Sequence, residues 1–391
     1  MKIAIINWTG DRKNWGCQAT SYGLLADIRD ACAPEAVIDP EMVSLGSKSA
    51  GDRLVRRFFL DPLRRHLARE FSTPRQEKLF YLLNWLIYKG KIDLVKKADA
   101  VFFMAEGTMD GTTFFGGERL VMLPYLAATS LGKRVISLNQ TLYSETDSFV
   151  PILENVYRRF SLVAVREPAS LDLARRLNPE NAMLFPDSAF RTEPSATPPR
   201  QLLDTKPSKP LLAVTASAQY DHAHRGKYLR SLCEYARDRE LQVCGLFWKP
   251  RWIAALSDAA EASGGLQPVF PKSGCDCRDI SAILADCVAF IGGRYHSIIQ
   301  AATVKTPFVP LPTNSHKTEG LLDLLEWPLS IRAFDDFTGM TADLDNVLSN
   351  RERYAKHLQR VLKKVAEIRQ DGIDLLASKM SFTGSERVSS R

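Results

Sequence analysis

The chain has 391 residues, of which 45% are hydrophobic and 25% charged, and its formal net charge is +7. This length exceeds what one hydrophobic core usually organises, so we expect two domains in a globular, soluble protein. No apolar run approaches the ~18–20 residues of a membrane span, and the seven cysteines lack CxxC spacing, which predicts reduced thiols in a cytoplasmic protein without a zinc site.

The N-terminal stretch predicts a strand over residues 2–8, a glycine-containing loop and a helix over about 17–29. Its apolar run is too short for a signal peptide. The unit resembles the opening of a nucleotide- or phosphate-binding fold, although a plain first βα unit fits as well. Neither a GxGxxG nor a Walker pattern is present, so a dinucleotide-binding fold is not indicated.

Residues 48–97 carry most of the basic character, with 13 Lys or Arg against 5 Asp or Glu. Arginines interleave with Leu and Phe, and the second part of the segment is apolar and aromatic. This pattern predicts a basic helical insertion that either contacts an anionic membrane surface or a lipid-linked phosphate, or packs on its domain with solvated arginines. Because the rest of the chain is nearly neutral, a nucleic-acid partner is not expected.

The remaining first half predicts strands over residues 100–104, 134–140, 162–165 and 182–185, with helices near 117–131 and 148–159. Polar residues follow the strands, and open α/β sheets bind ligands at the carboxyl ends of their strands. These candidates are Glu106, Asn139, Gln140, Arg166, Glu167 and Asp187.

A proline-rich stretch over residues 193–210 predicts a linker, and a second βα series follows it. The predicted strands are 211–217, 241–247, 268–270, 288–291 and 307–311, and a long charged helix or helix pair covers about 341–377. We therefore expect an α/β protein of two Rossmann-like domains facing across a cleft. The predicted ranges are 1–192, 211–380 and a disordered tail at 381–391.

Two glycines at the end of an apolar run form the candidate site around which the rest is organised. Gly292 and Gly293 close the run and are followed at once by Arg294, Tyr295, His296 and an apolar helical pattern. A helix N-terminus with a guanidinium and an imidazole predicts a phosphate or carboxylate site with an acid/base group beside it. An ion pair of Arg294 with a carboxylate and a bond from His296 to a loop carbonyl would fit the local sequence equally well.

Several short motifs, in their order along the chain, resemble the polysaccharide pyruvyl transferase family, whose members are similar to GT-B glycosyltransferases. The motifs are Asn14-Trp15-Gly16-Cys17-Gln18-Ala19, Glu106-Gly107-Thr108, Asn139-Gln140, Arg166-Glu167-Pro168-Ala169-Ser170, Pro186-Asp187, Gly293-Arg294-Tyr295-His296 and Lys317-Thr318-Glu319-Gly320-Leu321-Leu322. The resemblance implies transfer of a pyruvyl group from phosphoenolpyruvate to two hydroxyls of a sugar, with a cyclic ketal as product. The acceptor would be a cell-surface polysaccharide or its lipid-linked precursor.

The resemblance also implies roles for particular residues, with the N-terminal domain on the acceptor side and the C-terminal domain on the donor side. The residues expected to bind the donor are Arg294, Arg166, Gly292, Gly293 and Lys317. The residues expected in catalysis are His296 with a carboxylate from among Glu106, Asp187 and Glu167, and those expected at the acceptor are Asn14, Asn139 and Gln140. Phosphoenolpyruvate is the expected co-substrate, with no cofactor and no metal, and the location is the cytoplasm or the inner membrane face.

Two other functions fit the sequence. A GT-B glycosyltransferase would place the diphosphate of a nucleotide sugar at Arg294. A non-catalytic component of a polysaccharide assembly complex would have no donor site.

Overall fold

Two parallel α/β sheets organise the chain in the computed structural model, which describes residues 1–32, 39–45, 49–69, 73–107, 109, 111–143, 146–217 and 222–380. Each sheet belongs to its own unit. Unit 1 consists of Met1–Thr9, Leu25–Asp187 and the chain from Glu367 onward, and unit 2 consists of Gly10–Leu24 and Ser188–Ala366.

Unit 1 contains a six-stranded sheet. Its strands are β1 (Lys2–Ile6), β2 (Asp39–Val43), β3 (Ala100–Glu106), β4 (Arg134–Gln140), β5 (Leu162–Val165) and β6 (Ala182–Leu184). They pair in parallel in the order β2-β1-β3-β4-β5-β6, with Ile3 opposite Ala100 and Ala100 opposite Arg134. β3 is buried along its whole length, as its continuous apolar run predicts for a strand covered on both faces.

The helices of unit 1 surround this sheet. They are the end of α1 (Trp15–Ala31), α2 (Ala50–Phe58), α3 (Leu60–Ala68), α4 (Pro74–Tyr88), α5 (Lys91–Lys97), α6 (Glu118–Ala128), α7 (Val150–Tyr157), α8 (Leu171–Leu177) and the end of α15 (Arg351–Met380). The predicted basic insertion is therefore a set of four helices, α2 to α5. Capping boxes at Ser49 and Thr73 fix the starts of α2 and α4.

Unit 2 contains a four-stranded sheet. Its strands are β7 (Leu211–Ser217), β8 (Gln242–Gly245), β9 (Cys287–Gly293) and β10 (Phe308–Pro310), paired in parallel in the order β10-β9-β7-β8. Its helices are the start of α1, α9 (His222–Asp238), α10 (Pro250–Ala262), α11 (Cys277–Asp286), α12 (Tyr295–Thr303), α13 (Lys317–Leu324), α14 (Phe337–Ser349) and the first part of α15.

Both strand orders place a change of direction between two central strands, β1 and β3 in unit 1 and β7 and β9 in unit 2. Such a switch point is where doubly wound sheets bind their ligands, at the carboxyl ends of the strands. The fold therefore directs attention to the residues that follow β3 and β9.

The structure divides the chain differently from the predicted domains. Residues 10–24 belong to unit 2 although they follow β1, and α15 passes from unit 2 to unit 1 at Glu367. The stretch predicted as a linker lies within unit 2, where it forms a short 3-10 turn over Pro199–Gln201 and buries Leu202 and Leu203. The stretch is part of unit 2 and does not separate two units, so the linker interpretation is corrected.

Two local features also differ from the prediction. β2 has no apolar alternation in its sequence and was not predicted. The stretch 268–270 forms only an isolated bridge between Val269 and Cys244. The predicted tail over 381–391 and Thr108 lie outside the described residues.

Candidate functional site in unit 2

The two glycines at the end of β9 allow neighbouring segments to approach the strand. A Cβ on Gly292 would lie 1.9 Å from Thr215 Oγ1, and one on Gly293 would lie 2.5 Å from the carbonyl oxygen of Pro312. The side chain of Ser217, at the end of β7, donates a hydrogen bond to that same carbonyl. The glycines predicted to contact the donor are thus required for packing of β9 against its neighbours.

Three cationic side chains, Arg294, Lys249 and Arg251, form what we call the cation cluster. Arg294 and Lys249 line one small pocket, together with Ala216, Leu246, Phe247, Trp248 and Trp252. Burial lowers the pKa of the Arg294 guanidinium, an effect that Arg251 reinforces and Cys17 opposes. Burial also lowers the pKa of the Lys249 ammonium, and Arg294 and Arg251 add to that decrease.

No carboxylate compensates the cation cluster within the part of the chain that the structure describes. None of the three side chains forms an ion pair there, and repulsion between like charges adds to burial in lowering the pKa values of Arg294 and Lys249. An anion bound between the three cations would offset their mutual repulsion. The cluster therefore has the electrostatics of an anion-binding site.

Two helices begin at these cations. Lys249 is the N-cap of α10 and Arg294 is the N-cap of α12, and neither side chain caps its helix by a hydrogen bond. Ser, Thr, Asp and Asn are the preferred N-caps, and a cation at the positive end of a helix dipole is unfavourable. By contrast, α11 in the same unit has the N-cap Asp276 in a capping box. The cationic N-caps of α10 and α12 therefore concentrate positive potential at the pocket that Lys249 and Arg294 line.

Trp248 supplies an aromatic surface to the cluster. The guanidinium carbon of Arg294 lies 4.8 Å from the centre of the Trp248 ring, an arrangement that holds a guanidinium by cation–π attraction without neutralising its charge. Trp15 meets Trp248 edge to face with ring centres 5.9 Å apart, and its Nε1 donates to the carbonyl of Cys275 at 2.8 Å. The start of α1 thereby buttresses the ring that orients Arg294.

His296 is fixed by α1. Its Nε2 lies 2.9 Å from the hydroxyl oxygen of Thr20. A Cβ on Gly16 would lie 2.5 Å from His296 Nδ1, so only glycine permits this approach of helix and imidazole. Asn14, predicted at the acceptor, accepts a hydrogen bond from the backbone N–H of Gly16 at 3.1 Å and so caps α1.

Lys317 is the first residue of α13, and its ammonium donates a hydrogen bond to Asn314 Oδ1 in the preceding loop. That loop runs from Pro310 through Pro312, which touches Gly293. The side chain is buried with 9% of its surface exposed. Its predicted donor-binding role stays a prediction.

The remaining predicted site residues lie in unit 1, at or after the carboxyl ends of β3, β4, β5 and β6. Asn7 after β1, Glu106 in β3 and Asn139 in β4 all have positive φ, at 65°, 51° and 56°. Such strained backbone in non-glycine residues is concentrated at functional sites. Glu106 accepts a hydrogen bond from the Thr9 hydroxyl at 2.6 Å, and Asn7 Nδ2 donates to the carbonyl of Met104 at 2.6 Å.

Gln140 is held by its neighbour in the core. Its Oε1 accepts a hydrogen bond from the Tyr157 hydroxyl at 2.7 Å. Its buried Nε2 has no hydrogen-bond partner among the described residues. The acceptor-binding roles of Asn139 and Gln140 stay predictions.

Arg166 and the groups around it, namely Asp187, Glu167 and Thr141, form what we call the Arg166 cluster. Arg166 is 1% exposed, and its Nη1 lies 2.7 Å from Asp187 Oδ2. Its Nε and Nη2 donate to Thr141 Oγ1 at 3.1 and 3.0 Å, and Nε lies 3.5 Å from Glu167 Oε2. Arg166 is thus paired with carboxylates inside unit 1, and the donor-binding role of Arg166 and the catalytic role of Asp187 stay predictions.

Burial raises the pKa of the Glu167 carboxyl from 4.5 to about 7, although Arg166 and the hydroxyls of Thr141 and Ser170 act in the opposite direction. Desolvation therefore outweighs the adjacent guanidinium at this side chain. Asp187 contributes a smaller increase in the same direction as burial.

Sequence reasoning missed Thr20, Trp248, Lys249 and Arg251. The last three stand in the run Phe247-Trp248-Lys249-Pro250-Arg251-Trp252, directly after a predicted strand and with a proline suited to the first turn of a helix. This run was the available signal for a second helix start with cations. Thr20 carried no local signal, because it meets His296 across 276 residues of sequence.

No group of three or more His, Cys, Asp or Glu side chains is placed to hold a metal ion in the described ranges. In the same ranges, no helix combines the length and the apolar character that crossing a membrane requires.

Solved structures of similar fold include sugar-nucleotide proteins. A putative UDP-N-acetylglucosamine 2-epimerase from Listeria monocytogenes aligns with a TM-score of 0.57 at 11% identity, over 92% of this chain and 90% of that one. An Arabidopsis thaliana protein complexed with UDP-L-rhamnose gives 0.56 at 12% identity, over 97% and 99%. A calicheamicin glycosyltransferase gives 0.53 at 14% identity, over 99% of both chains. At these identities the likeness shows the fold alone, two Rossmann-like domains of the GT-B type.

The family model of polysaccharide pyruvyl transferases matches residues 14–254, more than half of the chain. The matched span includes Thr20, Lys249 and Arg251 and ends before Arg294 and His296. Curated proteins give no significant match. The extent of the family match shows that this chain belongs to the polysaccharide pyruvyl transferase family.

Proposed function

We propose that this transferase moves a pyruvyl group from phosphoenolpyruvate to two hydroxyls of a sugar, forming a cyclic ketal on a cell-surface polysaccharide or its lipid-linked precursor. The observation that carries the proposal is the cation cluster, in which Arg294, Lys249 and Arg251 have no carboxylate partner among the described residues. Family membership supports the reaction class.

Phosphoenolpyruvate matches the cluster in charge. It carries a phosphate and a carboxylate on the same carbon, C2, so it needs more than one cationic contact. A guanidinium binds either group through two parallel N–H donors, whereas an ammonium acts as a point charge. The N-terminus of α12 adds backbone N–H groups and a positive dipole end. The Trp248 ring holds Arg294 while leaving its donors for an anion.

His296 is the proposed acid/base group. In the reaction, C3 of the enol phosphate gains a proton, and C2 takes on oxocarbenium character. A sugar hydroxyl adds to C2 and loses its proton, the C2–O bond to phosphate breaks, and the second hydroxyl adds and loses its proton. An imidazole can donate and accept protons near neutral pH, a contribution of about 10²–10⁴-fold in rate.

The surroundings of His296 suit such a role. Thr20 fixes the Nε2 edge at 2.9 Å, and Gly16 holds α1 against the ring without a side chain between them. The ring is only part-buried, at the second position of α12, two residues from the Arg294 N-cap. The proposed acid/base group, His296, is thus close in sequence to Arg294 and lies in the same unit as the cation cluster.

The test is product formation. Purified protein is incubated with phosphoenolpyruvate and candidate glycans, and mass spectrometry detects the mass gain of a ketal. We expect His296→Ala to lower turnover by about 10²–10⁴-fold while phosphoenolpyruvate still binds. The matched control is His357→Ala on α15, whose Nε2 lies 3.0 Å from the carbonyl of Leu325. Wild-type turnover in the His296 variant would exclude the acid/base role.

The two other candidate functions are separated by ligand-induced stabilisation. Phosphoenolpyruvate at about 100 times its Kd should stabilise the protein by about 2.7 kcal/mol in thermal unfolding, and UDP-N-acetylglucosamine should not. The reverse result would support a glycosyltransferase with a nucleotide-sugar donor. Absence of both stabilisation and product would support a non-catalytic role.

A further inference from the structure

Exposed apolar side chains are concentrated on two helices of the basic insertion. Among the described residues five large apolar side chains are exposed, and four of them lie on α2 and α4. They are Leu54 (41%), Phe58 (61%), Leu82 (49%) and Trp85 (41%). Isolated exposed apolar residues are ordinary, but a local concentration marks an interaction surface.

The opposite sides of these helices are firmly attached to unit 1. Asp52 is fully buried in α2 and accepts a hydrogen bond from Arg119 Nε at 2.5 Å, while Arg119 Nη2 donates to the carbonyl of Leu45 at 2.6 Å. In α4, Phe80 and Leu83 are buried in the core. The buried contacts therefore hold α2 and α4 in a fixed orientation, in which their outer sides are exposed.

The exposed residues of the two helices border one surface. A Cβ on Gly51 would lie 2.0 Å from the carbonyl oxygen of Leu86, so α2 and α4 touch there through their backbones. Leu54 is three residues after Gly51, and Leu82 is four residues before Leu86. Residues at these spacings lie on the same side of a helix, so both apolar pairs flank the helix–helix contact.

Cations alternate with the apolar residues on this surface. On α4 the exposed positions 78, 82 and 85 recur at helical spacing and carry Lys, Leu and Trp, and the exposed C-cap residue is Lys89. On α2 the exposed run holds Arg53 and Arg57 beside Leu54 and Phe58. Lys89 Nζ lies 5.0 Å from the Trp85 ring centre, and Arg57 Cζ lies 5.3 Å from that of Phe58. None of these four cations forms an ion pair with a described residue.

We infer that this surface, the α2–α4 face, docks on an anionic lipid bilayer. Apolar and aromatic side chains insert at the boundary between headgroups and acyl chains, where Trp is favoured, and the surrounding Lys and Arg contact lipid phosphates. Long basic side chains that lie over aromatic rings can extend to the headgroups while their stems cover apolar surface. A soluble anionic protein would match the charge but would not require four protruding apolar side chains between the cations.

The experiment is flotation of the full chain with vesicles of phosphatidylcholine alone or with 30% phosphatidylglycerol, at low and high salt. We expect binding to the anionic vesicles only, weakened by salt. Phe58→Ser with Trp85→Ser should lower the partition coefficient by about tenfold or more, because the buried apolar area is lost. Phe58→Leu with Trp85→Phe should retain most of the binding.

Two double variants that remove the same charge distinguish docking through the α2–α4 face from attraction of the whole protein to anionic lipid. Arg53→Gln with Arg57→Gln should weaken binding by about fivefold for each cation removed. Arg353→Gln with Lys363→Gln, two exposed cations on α15, removes the same charge elsewhere and should leave binding unchanged. Circular dichroism melts confirm that each variant is folded.

Three results would overturn the inference. They are equal binding to neutral and anionic vesicles, no binding to anionic vesicles at low salt, and a dimer in light scattering that the Phe58 and Trp85 serines dissociate. The last result would assign the face to a second copy of the chain. The assay measures no turnover, so its outcome does not depend on the proposed reaction.

Discussion

The Arg166 cluster and the cation cluster place an arginine in opposite electrostatic surroundings. Arg166 is buried in unit 1 with Asp187 at 2.7 Å, Glu167 at 3.5 Å and the hydroxyl of Thr141. Arg294 in unit 2 is part-buried and lies over the Trp248 ring, and burial, reinforced by Arg251, lowers its pKa.

The difference is between a guanidinium already paired with carboxylates and one without a carboxylate partner among the described residues, which we propose to bind an anion. A buried arginine that is paired with carboxylates cannot change partners without leaving those carboxylates unpaired. An arginine held by a π surface keeps its hydrogen-bond donors for a ligand. Both arginines follow a strand of a parallel sheet, so their position in the fold does not distinguish them. The charged groups around each arginine do distinguish them.

The largest expected effect comes from removing Arg166. Arg166→Met leaves Asp187 and Glu167 without their guanidinium, so we expect the free energy of unfolding to fall by about 3–5 kcal/mol. Arg294→Met should change it by less than about 1 kcal/mol, because no ion pair among the described residues is broken. Urea denaturation of the two variants measures both. Similar losses in the two would remove the distinction.

A second effect concerns the pH dependence of unit 1. The folded state binds the Glu167 proton more tightly than the unfolded chain does, because burial raises this pKa from 4.5 to about 7. The stabilising contribution of the protonated carboxyl is complete below about pH 4.5 and is lost as the pH rises through 7. The change corresponds to about 3 kcal/mol.

Glu167→Gln removes this titration. We expect the variant to gain about 3 kcal/mol of stability relative to wild type between pH 5 and pH 8.5, as seen in urea denaturation at each pH. If wild type and variant keep a constant difference over this range, Glu167 does not change its protonation on folding.

The smallest expected effect is on donor affinity. Arg294→Gln should raise the Kd of phosphoenolpyruvate by about 10–100-fold, the loss of one charged contact of about 1.5–3 kcal/mol, with little change in melting temperature. Isothermal titration measures it. Arg353→Gln on α15 serves as the control for total charge, and an equal weakening in both variants would assign the effect to long-range attraction.

Much of the fold follows from the sequence because parallel strands are continuous apolar runs, and β1, β3, β4, β7 and β9 are of this kind. β2 was missed because Asp39, Pro40 and Glu41 give it no apolar pattern, and it becomes a strand by pairing beside β1. The stretch 193–210 was predicted as a linker because of its prolines. The burial of Leu202 and Leu203 was not predicted, because it depends on segments far along the chain.

The candidate site was half predictable. Gly293, Arg294 and His296 are adjacent in sequence, so their pattern is local. The residues that contact them are distant in sequence. Trp248 and Lys249 lie near Arg294 because β8 pairs beside β7. Thr20, on α1, contacts His296. The pairing of Arg166 with Asp187 was likewise hidden, because no sequence pattern shows which carboxylate lies beside a buried guanidinium.

The glycine pair at the end of β9 bears on how mutational scans of this segment are interpreted. Alanine at position 292 would collide with Thr215, and alanine at 293 with the loop at Pro312. Loss of function there would report a displaced strand and would say nothing about ligand contact. Changes at Trp248 and Lys249, whose side chains line the pocket without supporting the sheet, are the informative ones.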